Sequence, residues 1–169
     1  MKAGIATKFL QTVPLVVDDK GRITLPSHIR SAIEALETQG VVVVKSDANY
    51  LVGYNEPTFD GIMERMNSAP QDGEGEPSDE DMRNAELIAR HGYGDVAYCI
   101  PDKQGRINIP QAIREGVGIF PNGKIVMVGL GDRVEIWPLE KFNADRREFD
   151  EKFKSGAINL KKYHAKLRK

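Results

Sequence analysis

Asp18-Asp19-Lys20-Gly21-Arg22-Ile23-Thr24-Leu25-Pro26-Ser27-His28-Ile29-Arg30 has a second copy in this chain: Asp102-Lys103-Gln104-Gly105-Arg106-Ile107-Asn108-Ile109-Pro110-Gln111-Ala112-Ile113-Arg114. Asp, Gly, Arg, Ile, Pro, Ile and Arg recur, seven identities in thirteen ungapped positions, each matched pair 84 residues apart. Chance rarely produces such a match. The chain is therefore read as a duplicated structural unit with a basic turn at its heart.

The residues around each copy predict the same series of elements. Leu10 to Val17 is rich in strand formers, and Pro14 points to a sheet edge. Asp-Asp-Lys-Gly reads as a turn, with Gly21 free to take positive φ. Arg22 to Leu25 alternates polar and apolar, as a strand does. Pro26 suits the first position of a helix, and Ile29, Ile33 and Leu36 fall on one face of it. Val41 to Val44 and Tyr50 to Tyr54 read as two further strands around an Asp47-Ala48-Asn49 turn. The second unit repeats this from Val96. Its strands are Val96 to Ile100, Arg106 to Ile109, Ile125 to Val128 and Arg133 to Trp137, and Pro110 opens a short helix ending near Gly116 or Gly118. Trp137 matches Tyr54 and Phe142 matches Phe59 at an offset of 83, so one residue has been gained or lost between the copies.

Between the copies lies a helix from Pro57, a Pro- and Gly-containing acidic loop from Ser68 to Ser78, and a helix from Ser78 to about His91-Gly92. After them comes a helix from Pro138 carrying Phe142, Phe149 and Phe153, broken by Gly156 and followed by a basic tail. The expected division is 12–55 for the first half, 56–92 for the connection, 95–138 for the second half and 139–169 for the C-terminal helix and tail. The fold class is α+β, mainly β. A unit of four short strands and one helix is too small for a good core of its own. Two units related by a pseudo-two-fold axis can share one, which can bring the two turns to one side.

The 169 residues suffice for a buried core, and 40% hydrophobic with 29% charged residues is ordinary for a globular protein. One cysteine, Cys99, cannot form an internal disulfide and suits a reducing compartment. No signal peptide is expected at Met1 to Ile5, and no apolar run approaches the ~20 residues of a membrane span. The formal net charge of −1 conceals segregation: Gln71 to Asp81 carries only acids among its charges, and Lys152 to Lys169 only bases. Local field governs the choice of partner more than net charge does.

The duplicated motif resembles the MraZ family, transcriptional regulators built from two SpoVT-AbrB-type halves, whose signature is a pair of Asp-x-x-x-Arg motifs. Here they stand as Asp18…Arg22 and Asp102…Arg106, each with Gly before the Arg. Val126-Met127-Val128-Gly129 and Glu135-Ile136-Trp137 are also similar to the family. The resemblance spans roughly Thr12 to Phe142. It implies a pseudo-two-fold swapped-hairpin, double-psi-like β-barrel from two SpoVT-AbrB repeats, with flanking helices. It also implies a ring-like homo-oligomer that binds repeated boxes on double-stranded DNA upstream of division and cell-wall genes, in the cytoplasm and on the nucleoid. The second motif departs in one respect: Lys103 precedes the slot that Lys20 holds in the first. A contact made by lysine in one half is thereby lost or redirected in the other. On that ground the first turn is expected to carry more of the DNA contact.

Arg22 and Arg106 offer planar forks of donors suited to phosphate oxygens or to guanine O6 and N7. Lys20 and Lys103 are point charges suited to phosphate. Asp18, Gly21, Asp102 and Gly105 shape the turns, the glycines letting the backbone approach a partner closely. Two readings of each motif stand side by side: the Arg touches DNA, or Asp and Arg pair merely to close the turn. Arg30 and Arg114 read as solvated or salt-bridged helix arginines, and Tyr54 and Trp137 as sheet-end packing. His28, His91, His164 and Cys99 lack metal-ligand spacing. Neither a nucleotide loop nor a nucleophile motif is present. No enzyme, metal, cofactor or small-molecule substrate is expected. The rival to a DNA-binding regulator is an antitoxin-like protein-binding module on the same fold.

Overall fold

A computed structural model describes residues 4–46, 48–68 and 78–161. Most of the acidic loop, 69–77, and the end of the basic tail, 162–169, lie outside the described residues, as does Asp47. The chain divides into two compact units, Met1–Pro138 and Leu139–Lys169.

The first unit is α+β and mainly antiparallel sheet. Its elements run β1 (Thr12–Val16), β2 (Arg22–Thr24), α1 (Ser27–Ala35), β3 (Val41–Lys45), β4 (Leu51–Tyr54), α2 (Glu56–Ser68), α3 (Asp79–Tyr93), β5 (Val96–Cys99), β6 (Arg106–Asn108), α4 (Gln111–Glu115), β7 (Lys124–Gly129) and β8 (Arg133–Pro138). A single 3-10 turn, Ile5–Thr7, precedes them. Six strands form one sheet in the order β1-β7-β8-β4-β3-β5, and β2 and β6 form a separate two-stranded ribbon. β1 is at the sheet edge that Pro14 predicts, where one side of the strand needs no ladder donor. Pro26 differs slightly from expectation. It stands just before α1 as an extended N-cap, and its carbonyl accepts from the Ile29 and Arg30 amides.

The order of the sheet encodes the duplication. Replacing each strand by its copy, β1 by β5, β3 by β7 and β4 by β8, gives the same list read backwards. Each half's first strand pairs with the other half: β1 with β7, and β5 with β3. The offset changes from 84 to 83 in the hairpin between β3 and β4. There Lys45 pairs with Leu51, whereas Gly129 pairs with Val134 in the copy.

One core serves both halves. Ile23, Leu25, Ile29 and Val41 pack in the same cluster as Ile107, Ile109, Ile113 and Ile125, each at most 5% exposed. Burying each such side chain stabilises the fold by roughly 1.5–3 kcal/mol, and neither half has enough of them alone.

The second unit is α5 (Leu139–Lys154), with Phe149 and Phe153 stacked at 6.0 Å between centroids, both partly exposed. Gly156, at φ +76, lies just past its end, as predicted. Among the described residues, no helix is long and apolar enough to cross a membrane.

Candidate functional site

The two Asp-x-x-Gly-Arg turns fold alike because each carries the same internal hydrogen bonds. In the first, Asp18 Oδ1 accepts from the backbone N–H of Lys20 at 2.9 Å and of Arg22 at 2.8 Å. The Gly21 amide donates to the Asp18 carbonyl at 3.0 Å, and the positive φ of the glycine, +79°, turns the chain back so that the Asp18 amide donates to the Arg22 carbonyl at 2.9 Å. In the second, Asp102 Oδ1 accepts from Gln104 and Arg106 at 2.9 Å each, the Gly105 amide reaches the Asp102 carbonyl at 2.8 Å, and φ is +78°.

Each Arg returns to its own Asp. Arg22 Nε donates to Asp18 Oδ2 at 2.7 Å. Arg106 brings Nε and Nη2 to 2.8 and 2.7 Å from Asp102 Oδ2. The turn-closing pair is therefore formed. It does not use up the arginine, because a guanidinium has five N–H donors and this pairing fixes the plane in which the others point. Asp18 is held below the usual carboxylate range by the Arg22 amide first, and Asp102 is lowered to about 2 chiefly by the Arg106 side chain. Both turns therefore keep their carboxylates ionised near neutral pH.

The ribbon brings the two motifs together. β2 and β6 pair antiparallel about the Ile23↔Ile107 position, flanked by Arg22↔Asn108 and Thr24↔Arg106. Paired and alternate residues share a face. Ile23 and Ile107 are fully buried, so Arg22, Thr24, Arg106 and Asn108 occupy the opposite face, the two arginines half-buried and the other two exposed. Arg22 and Arg106 are diagonal neighbours across the ribbon, roughly 7–8 Å apart at Cα. Lys20 and Lys103 are exposed on the turns, one at the mouth of each strand. This face offers planar donor forks, an amide and a hydroxyl within one short patch.

The structure narrows two sequence readings. First, the space where a Cβ would stand at each glycine is filled from within the chain. A Cβ at Gly21 would lie 2.6 Å from the Arg114 guanidinium carbon, and one at Gly105 2.6 Å from Arg30 Cδ. Each turn glycine is covered by the helix arginine of the other half. Second, of the two readings of Arg114, solvated or salt-bridged, the salt-bridged one holds. Arg114 is 6% exposed, and its Nη1 lies 3.2 Å from the Ile119 carbonyl and 3.2 Å from Glu115 Oε1. The recurrence of Arg at positions 30 and 114 was the only sequence signal for this role, and nothing in the sequence pairs either with the opposite turn. The aromatics do serve the sheet. Trp137 stacks on Tyr50 at 4.1 Å between centroids, and Tyr54 contacts Phe59 at 6.3 Å. His28 Nε2 lies 2.7 Å from the Leu10 carbonyl, a local tie to the N-terminal segment.

Comparison with known proteins now bears on this geometry. The sequence model of a family described as "MraZ protein, putative antitoxin-like" matches residues 9–76 and 95–160, one match per copy of the motif. Relatives named transcriptional regulator MraZ include those of three organisms. That of Desulforapulum autotrophicum is 33% identical over 143 residues, covering 84% of this chain and 88% of its own. That of Arthrobacter sp. is 31% identical over 135 residues, covering 80% and 84%. That of Ligilactobacillus salivarius is 28% identical over 144 residues, covering 85% and 90%.

Proposed function

This chain belongs to the MraZ family, and from that premise we propose that it is a sequence-specific DNA-binding transcriptional regulator which reads DNA with the β2–β6 face. The observation that carries the reading is the ribbon. A two-stranded antiparallel ribbon fits the major groove, and this one sets Arg22 and Arg106 diagonally across its outer face with a buried isoleucine pair behind them. Arg22 and Arg106 are the base or phosphate contacts, Lys20 and Lys103 phosphate contacts. Asp18, Gly21, Asp102 and Gly105 hold the turns in shape.

The working unit is the two halves, 12–55 and 95–138, joined by 56–92 and followed by 139–169. The pairing of β1 with β7 and of β5 with β3 supports a swapped-hairpin, double-psi-like barrel. One protomer offers a handful of contacts, so its binding is weak and salt-sensitive, with a log–log slope of about 0.9 per neutralised phosphate. A ring-like homo-oligomer engaging repeated boxes overcomes this by effective concentration. The protein then acts in the cytoplasm, on the nucleoid, at boxes upstream of division and cell-wall genes.

Arg22→Ala tests the assignment. A mobility-shift titration should show more than about tenfold weaker binding, the loss of one bidentate contact, with the protein still folded. Unchanged binding overturns it. The family's antitoxin-like description keeps the protein-binding alternative in view. A pull-down returning one stoichiometric small protein and no DNA would favour that reading.

A further inference from the structure

The two turns share a backbone but not a setting. Beside the first, Arg114 is sealed in, its Nη1 held between the Ile119 carbonyl and Glu115. Beside the second, Arg30 is only half-buried. The Nε of Arg30 and the Nε of Arg114 are both buried without a hydrogen-bond partner, so the asymmetry lies in the outer ends of the two guanidinium groups. Among the described residues no ion pair involves Arg30. The sequence explains why. The residue after Arg30 is Ser31, where the copy has Glu115, so the adjacent acid is missing. Helix α1 also runs on to Ala35, whereas α4 stops at Glu115, before Gly116 and Gly118, and folds Ile119 back onto its arginine.

A cleft of ≈ 260 Å³ opens at this place, lined by Arg30, Ile33, Glu34, Thr38 and Gln39 on one side and by Pro101, Asp102, Lys103 and Gly105 on the other. It is several times the ~30 Å³ share of one water molecule. Two cations face it. Of its two carboxylates, Asp102 is already engaged with Arg106 and with the Gln104 and Arg106 amides. Glu34 is exposed at the rim. A half-buried guanidinium without an ion pair, a lysine across the cleft, and hydroxyl and amide groups between them make a cradle for a tetrahedral oxyanion.

We propose that the cleft between α1 and the second turn is a phosphate subsite in which Arg30 and Lys103 hold one phosphate group, and that the first turn has no counterpart. This deepens the DNA-binding reading and rests on it for its ligand source, a backbone phosphodiester; inorganic phosphate shares the chemistry.

Two measurements on the full chain test the proposal. In the first, inorganic phosphate is titrated while the arginine Nε–Hε signals are followed by NMR. The Arg30 signal should shift and the Arg114 signal should stay. In the second, the salt dependence of DNA binding is compared for wild type, Arg30→Gln and Lys103→Gln. The log–log slope should fall by about 0.9 in a variant that has lost one phosphate contact. If Arg30→Gln folds poorly, Lys103→Gln, at an exposed turn residue, carries the test through the phosphate titration, where it should weaken the response of the Arg30 signal. Glu34→Gln should tighten binding by removing the opposing charge. A phosphate shift with unchanged slopes identifies free phosphate as the occupant; changed slopes without a shift identify the phosphodiester. An unmoved Arg30 signal together with unchanged slopes overturns the proposal. If wild type fails to bind DNA at all, the DNA reading fails and the phosphate titration alone decides the subsite.

Discussion

The turn from Asp18 to Arg22 and the turn from Asp102 to Arg106 have the same hydrogen bonds and different surroundings. Asp18, Asp19, Lys20 and Arg22 sum to no net charge, whereas Asp102, Lys103 and Arg106 sum to +1. The first turn is backed by a buried arginine with its own partners, the second by a half-buried arginine without an acid. Identical local chemistry has thus been given a rigid setting in one half and an open one in the other. The difference originates at Gly116 and Gly118, which end α4 after 5 residues where α1 continues for 9. Glycine lowers helix propensity, and Gly118 takes φ +89°, which Glu34, its counterpart in α1, would adopt only with strain.

The sharpest way to break this comparison is to remove the covering arginines. Arg114→Ala should destabilise the fold by roughly 2–4 kcal/mol, the cost of emptying a buried site and stranding its hydrogen-bond partners. Arg30→Ala should cost only about 1 kcal/mol, since its head is partly in water. Urea midpoints measure both, and equal shifts would abolish the distinction between a closed and an open turn.

Filling the glycines comes next. Gly21→Ala should lose roughly 2–3 kcal/mol, from positive φ and from collision with a guanidinium that has nowhere to go. Gly105→Ala should lose about 1–2 kcal/mol, mainly the φ cost, because Arg30 can swing outward. In an Arg114→Ala background, Gly21→Ala should cost less than alone. A double-mutant cycle with no coupling would mean that the contact across the halves carries no energy.

DNA binding gives a smaller effect, and one that changes the expected order. The lysine positions alone favour the first turn. The net charge and the neighbouring Arg30 favour the second. Arg106→Ala should therefore weaken binding by more than tenfold, over ~1.4 kcal/mol, and by more than Arg22→Ala does. Anisotropy titrations at one fixed salt concentration rank the two, and a larger loss for Arg22→Ala would restore the order drawn from the lysines.

Acid should separate the turns least. Both aspartates have folded-state values below their unfolded ones, so their stabilising effect is complete above pH ~3.8 and is lost as pH falls through the folded value. For Asp102 that value is about 2, because Arg106 holds its carboxylate. Carboxyl-carbon NMR should place the Asp102 midpoint near there and the Asp18 midpoint below the usual range. Replacing Arg106 by Ala should raise the Asp102 midpoint toward 3.8.

Much of this molecule was legible in the linear order of its residues. The repeat gave the count and succession of strands in each half. Pro14 pointed to the edge, Asp18 with Gly21 gave the turn, and the Ile23 and Ile107 alternation gave the buried face of the ribbon. These follow from interactions within a few residues, where spacing along the chain is spacing in space. The site was half legible. Arg22 and Arg106 stood out as a recurring pair, but their adjacency across the ribbon depends on which strands meet, and local pattern does not encode that.

The sequence by itself determined two copies of a turn, each closed by its own aspartate, because a four-residue turn is satisfied by its own backbone and one side chain. Only the tertiary structure decided that each turn's glycine is covered from the opposite half, that Arg114 is buried while Arg30 faces a cleft, and that the two copies therefore differ. Packing across a pseudo-symmetric core compares residues some 80 positions apart, and small local differences, a Ser for a Glu and two glycines just past a helix, acquire meaning only when the halves meet.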